Sequence, residues 1–190
     1  SKLFPYTTLF RSTTIQYNVI DSSCIVLDDG AAIYTAGPTS RNTLINGNIV
    51  SNTIGNSLGS LAPPTLVGIY LDVSANDVKV TNNTVYNNKL GIFLHKALNC
   101  TIRNNTLFNN NTGIRLNNNT TASSMTGNVI RKNKVATNTD NVEHFAFSFR
   151  SLLNDNYSFG VADSNYYARP LNDTRTISSE LPATDRKSVV

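Results

Sequence analysis

The sequence predicts an all-β solenoid of about five stacked turns, and two repeats that run in step along the chain predict it. The first repeat reads Ile15-Gln-Tyr-Asn18, Ile45-Asn-Gly-Asn48, Val80-Thr-Asn-Asn83, Ile102-Arg-Asn-Asn105 and Met125-Thr-Gly-Asn128, each copy followed by an apolar-rich pair. Its asparagines lie 30, 35, 22 and 23 residues apart. A period in the low twenties that tolerates insertions belongs to a solenoid, in which no turn can bury its apolar face alone and neighbouring turns share one core. The second repeat aligns Ala32-Ile-Tyr-Thr35, Gly68-Ile-Tyr-Leu71, Gly91-Ile-Phe-Leu94 and Gly113-Ile-Arg-Leu116 without gaps. No 3.6-residue apolar spacing is visible, so helices are not expected.

Each copy of the first repeat is read as a short strand running into an asparagine-rich turn. Asparagine tolerates the left-handed backbone of a tight corner, and its amide can both donate and accept along a ladder of stacked turns. The second repeat is read as another strand of the same turn, so that a unit holds at least two. Alternation sends Ile33, Ile69, Ile92 and Ile114 inward, and Tyr34, Tyr70, Phe93 and Arg115 outward. Residues 55–66, with Pro63-Pro64, are a long insertion, and insertions in a solenoid often build its binding face. Past Val135 the repeat decays. Phe145-Ala-Phe-Ser-Phe149 is the last alternating stretch, and residues 159–170 read as an aromatic, irregular segment packed on the end of the stack. The expected boundaries are a solenoid over residues 13–150 and an irregular segment over 151–184.

Residues 1–12 and 185–190 are read as foreign to the protein. One DNA string that resembles a common short-read sequencing adapter encodes residues 3–12, and its reverse complement encodes residues 185–190 followed by a stop codon. Segments of this kind are excluded from fold reasoning, and the remainder is expected to be a fragment of a longer protein. Without them the charge balance falls from 16 Lys+Arg against 12 Asp+Glu to 12 against 11. The apparent basicity therefore points to no nucleic-acid partner, and no basic cluster interleaved with aromatics supports one. No membrane span is visible. Cys24 and Cys100 fall in different turns and are read as small core residues, since stacked turns hold them too far apart for a disulfide. No Cys/His spacing suggests zinc.

At these motifs the chain resembles the right-handed parallel β-helix repeat of pectate-lyase-like proteins and many polysaccharide-acting enzymes, over roughly residues 15–150. The segment after the repeats is similar to that of some bacterial β-helix proteins. The resemblance implies a secreted or cell-surface protein that handles a polysaccharide or oligosaccharide.

Candidate chemistry follows from the outward columns of the second repeat. One holds Tyr34, Tyr70, Phe93 and Arg115. The other, one step past the last apolar residue, holds Ala36, Asp72, His95 and Asn117. Asp72 and His95 should therefore be neighbours about 4.8 Å apart on adjacent turns. Flat rings beside a carboxylate, an imidazole and a guanidinium suit a sugar-binding groove, with the rings stacking on pyranose faces. Tyr34, Tyr70, Phe93, Arg115 and Asn117 are thus candidate substrate contacts. Asp28-Asp-Gly-Ala-Ala-Ile-Tyr-Thr35 and Gly68-Ile-Tyr-Leu-Asp72 further resemble motifs of β-helical glycoside hydrolases that act on xylosides and fucosides. That resemblance implies Asp72 as a catalytic carboxylate, with Asp29 or Asp28 as the second. The chain departs from the pattern at Ala31, where a glycine is usual, and at Val73, where an acid is usual. Glycoside hydrolysis commonly needs two carboxylates flanking the bond, and His95 can donate to a leaving group or bind substrate. A hydrolase of this kind needs no cofactor. A polysaccharide lyase, for which Ca2+ would be a candidate cofactor, and a non-catalytic glycan-binding or structural solenoid are the alternatives.

Overall fold

The computed structural model describes residues 12–25, 29–53, 55, 65–138, 141, 144–153, 155, 158–171 and 176–180. Asp28, residues 56–64 of the expected insertion and the two terminal segments, apart from Ser12, lie outside the described residues.

Each turn contributes three short strands. The first is β1 (Thr14–Gln16), β2 (Val19–Asp21) and β3 (Gly30–Ala36), and the second is β4 (Thr43–Asn46), β5 (Ile49–Ser51) and β6 (Leu66–Asp72). Then come β7 (Val78–Thr81), β8 (Thr84–Tyr86) and β9 (Leu90–His95), followed by β10 (Thr101–Arg103), β11 (Thr106–Phe108) and β12 (Thr112–Asn118). A fifth turn holds β13 (Asn128–Arg131), β14 (Lys134–Ala136) and β15 (Phe147–Ser151), and a sixth holds β16 (Gly160–Asp163), β17 (Tyr166–Ala168) and β18 (Ile177–Glu180). Like strands stack in parallel into three six-stranded sheets, called A, B and C in the order the chain visits them. Among the described residues the turns number six, where about five were expected, and β16, β17 and β18 of the segment expected to be irregular form the sixth.

The corners explain why so many asparagines are needed. Before each strand of sheet B stands a residue with left-handed backbone: Tyr17, Gly47, Asn82, Asn104, Lys132 and Ser164, with φ from 55° to 65°. The next residue is always asparagine. Asn18, Asn48, Asn83, Asn105, Asn133 and Asn165 form a ladder in which each side-chain amide donates to the carbonyl oxygen of the next at 2.9–3.0 Å. Each oxygen also takes the backbone N–H of the asparagine one turn earlier. The second amide hydrogen goes to a strand carbonyl, as from Asn83 to Ile45. Asn48, Asn83, Asn105 and Asn133 are at most 1% exposed, which a polar amide tolerates only when its donors and acceptor are used.

The fifth copy of the first repeat is displaced from the position the sequence suggests. Ile130 pairs with Ile102, and Asn133 continues the ladder, so the structural copy is Ile130-Arg-Lys-Asn133 rather than Met125-Thr-Gly-Asn128. Asn128 instead accepts the N–H of Cys100 at 3.1 Å, one strand earlier in the turn.

Inside, the three sheets send columns of aliphatic side chains to one core. Ile45, Val80, Ile102 and Ile130 come from sheet A, Val50, Val85, Leu107 and Val135 from sheet B, and pairs such as Ile92 and Leu94 from sheet C. The core ends in aromatics: Phe159 and Tyr167 pack against Phe147 and Phe149. Glycine is required in sheet C where turns approach most closely. A Cβ on Gly91 would lie 2.5 Å from the Gly113 carbonyl oxygen, and one on Gly113 would lie 2.6 Å from that of Ala146. Cys24 and Cys100 are both free, Cys100 buried and Cys24 half-buried. Among the described residues no helix is long and apolar enough to cross a membrane.

Candidate active cleft

The outer face of sheet C carries the candidate site, because strand alternation leaves every second side chain there outside the core. Register brings Tyr34, Tyr70, Phe93 and Arg115 into one column and Ala36, Asp72, His95 and Asn117 into the next. Beside them lies an open cleft of about 760 Å³. Its lining includes Asp29, Tyr70, Asp72, Phe93, His95 and Arg115. Asn117 lines it as well, so every described candidate except Tyr34 faces this space. Tyr34 joins the cluster by a hydrogen bond.

Asp72 is the centre of that cluster. The Tyr34 hydroxyl donates to Asp72 Oδ2 at 2.6 Å, and His95 Nδ1 lies 2.7 Å from Asp72 Oδ1. The Tyr70 hydroxyl stands 3.4 Å from the same imidazole nitrogen. On the far side of the ring, His95 Nε2 is 2.9 Å from Asn119 Oδ1. Burial pushes the Asp72 carboxyl upward, but donation from Tyr34, from the Val73 backbone amide, and from His95 and Tyr70 outweighs it and holds the pKa below the ordinary 3.8. Asp72 is therefore a carboxylate at neutral pH, and His95 Nδ1 carries the proton it shares with that carboxylate. The reciprocal effect raises Tyr34 to about 12, chiefly through its hydrogen bond to Asp72, then through burial and the Asp72 and Asp29 charges. Tyr70 is raised as well, first by burial and then by the Asp72 charge. Both phenols remain donors across the physiological range.

The aromatic column is not the open ladder that alternation suggests. Tyr70 and Phe93 stack on each other with centroids 4.8 Å apart and planes 16° from parallel. They are only 3% and 5% exposed, closed in by Val67 and Leu90. Their faces meet each other, so they stiffen the wall of the cleft and offer edges to it. Tyr34 meets Tyr70 edge-on at 5.3 Å and is 49% exposed. Arg115 places its guanidinium carbon 5.9 Å from the Phe93 centroid. Asn117 Oδ1 is buried and finds no donor among the described residues, which leaves an acceptor in the lining.

Sequence reasoning passed over Thr65, Lys89, Asn119 and Arg150, which also line the cleft. For Arg150 the signal was present. Ala146-Phe-Ser-Phe149 continues the second repeat, and Arg150 pairs with Asn117 in the Asp72 column. Asn119 lies past the end of β12, where no periodicity marks it. Among the described residues no three His, Cys, Asp or Glu side chains gather so as to hold a metal.

These features define a parallel β-solenoid with a polar cleft on one outer sheet. Residues 8–165 match the family model described as right handed beta helix region, and the chain belongs to that family. No curated protein and no solved structure matches the chain.

Proposed function

We propose that the protein cleaves a polysaccharide in the sheet C cleft as a glycoside hydrolase, with Asp72 as its base. The observation that carries this reading is the Asp72 carboxylate, kept ionised by Tyr34 and His95 in the wall of an open groove. Each Asp72 oxygen receives one of these donors, and the remaining lone pairs can accept from a water. That water's oxygen would bond to the anomeric carbon as its proton passes to Asp72 and the bond to the leaving oxygen breaks. The leaving oxygen needs a proton from an acid, and Asp29, in the same lining, is the candidate. Arg115 and Asn117 would fix sugar hydroxyls. A polymer cannot cross a membrane to meet its enzyme, so the same reading makes the protein secreted or cell-surface.

Release of reducing ends from a panel of xylan, polygalacturonate and fucose-containing polysaccharide tests the reading, with Asp72→Asn as control. A hydrolase predicts turnover by the wild type and a loss of about a hundredfold or more in Asp72→Asn. If the wild type binds polymer but never cleaves it, a non-catalytic glycan-binding role replaces the hydrolase.

A lyase is the second reading, favoured by one feature. Asp72 orients His95 through Nδ1, and once the Asn119 amide turns its NH2 rather than its oxygen toward Nε2, that nitrogen can take a carbon-bound proton, with Arg115 and Arg150 lining the cleft beside an acidic sugar. Elimination yields an unsaturated, ultraviolet-absorbing product and hydrolysis does not, so product absorbance separates the two. A Ca2+-assisted lyase would additionally lose activity in a chelator and recover it on adding Ca2+.

A further inference from the structure

Sheet B carries an aromatic feature that the cleft does not use. Tyr86 and Phe108 occupy equivalent outward positions on β8 and β11. Their rings stack with centroids 4.7 Å apart and planes 4° from parallel. Rings stacked in this way have their planes across the solenoid axis, so each outer face looks along the axis toward the next rung. The residue there is Ser51 on the Tyr86 side, and Ala136 followed by Ala168 on the Phe108 side. Small side chains beside Phe108 leave a shelf two rungs long, about 10 Å at roughly 4.8 Å per rung. Phe108 is 41% exposed. A bare ring face above a shallow apolar floor differs from the Tyr70–Phe93 pair, whose surroundings close over it.

The rim of the shelf is polar. Asn109 and Asn87, each next in sequence to one of the rings, are exposed and joined by an amide hydrogen bond of 2.7 Å. Lys134 projects from the neighbouring column, on the strand that carries Ala136. Position matters as much as composition. Tyr86 is separated from Leu90 of the cleft by the single corner Asn87-Asn88-Lys89, and Lys89 itself lines the cleft. A chain lying in the cleft and bending round that corner reaches the stack directly.

We propose that the Tyr86–Phe108 stack is a second, non-catalytic glycan-binding site, which holds polymer continuing round the corner from the cleft. The apolar face of a pyranose stacks on Phe108 above Ala136, and the corner amides and Lys134 meet its hydroxyls. This proposal rests on the reading that the protein acts on a polysaccharide, and it adds where that polymer runs outside the cleft.

Affinity electrophoresis of the full chain through gels containing xylan or polygalacturonate tests it. The wild type is compared with the Tyr86→Leu/Phe108→Leu double variant, with Ala136→Glu and with Asp72→Asn. Leucine keeps an apolar side chain at each position, and Ala136→Glu leaves both rings in place while covering the Phe108 face. The expected result is retardation of wild type and Asp72→Asn in at least one gel. The double variant and Ala136→Glu should bind at least tenfold more weakly, with unfolding temperatures and circular dichroism like the wild type. Retardation of both shelf variants equal to wild type overturns the site, as does a wild type that neither polymer retards. So does a wild-type dimer in sedimentation that the leucine variants convert to monomer, because the stack would then be covered by a second copy. Retardation without polymer cleavage by the wild type overturns the hydrolase reading and leaves this site standing.

Discussion

Tyr34 is the leading donor among the four that hold Asp72 ionised, ahead of the Val73 backbone amide, His95 and Tyr70, and this makes the cleft sensitive to single atoms. Removing the Tyr34 hydroxyl takes a donor from the ionised form, so the Asp72 pKa must rise. In Tyr34→Phe the acidic limb of kcat/KM against pH should move to higher pH by about one unit, the size expected for one hydrogen bond to a charged group. The same carboxylate links stability to pH. Its folded pKa lies below the unfolded value near 3.8, so its contribution is present above that value and is lost as pH falls through the folded pKa. Urea unfolding at pH 7 and pH 3 should show a smaller loss of stability on acidification in Asp72→Asn than in the wild type. The Asp72–His95 contact was legible in the sequence, because two gapless copies of Gly-Ile-aromatic-Leu place the next residues side by side. The burial of Tyr70 and Phe93 was not. Alternation says which side of a sheet a residue faces, and it is silent on whether Val67 and Leu90 close over it.

At the scale of the strand and its corner, the asparagine ladder is a buried polar structure held together by complete satisfaction. Asn105 receives and gives bonds to Asn83, Asn133 and the Val80 carbonyl. Replacing it with alanine strands buried partners in two neighbouring turns. Asn105→Ala should therefore cost about 2–4 kcal/mol in urea unfolding, at one or two unsatisfied groups of 1–3 kcal/mol each, whereas the exposed Arg103→Ala should stay within about 0.5 kcal/mol. This element also shows where sequence reading stops. Met125-Thr-Gly-Asn128 and Ile130-Arg-Lys-Asn133 both offer an apolar residue three positions before an asparagine. Only pairing across turns, Ile130 against Ile102, chooses between them. The third strand of each turn was visible merely as an apolar-rich pair, since three residues are too few to establish an alternation.

Across the whole molecule, stability should be graded along the axis. A stacked coil contacts only its neighbours, so the middle turns are supported on both sides and the outer turns on one. Hydrogen exchange should be slowest in β6, β9 and β12, around Leu71, Ile92 and Leu116, and faster in β1 and β18. Uniform protection from Thr14 to Glu180 would mean that the stack opens as a single unit. The sixth turn escaped the sequence because Ala162 and Tyr167 stand where the fifth turn carries the aliphatic Ile130 and Val135. The ladder that joins all six turns has a direction as well. Every side-chain amide from Asn18 to Asn133 gives one hydrogen to the asparagine of the later turn, and its oxygen faces the earlier one, so the row is a chain of aligned dipoles. One amide per coil thus gives the described stack an electrical direction along its axis.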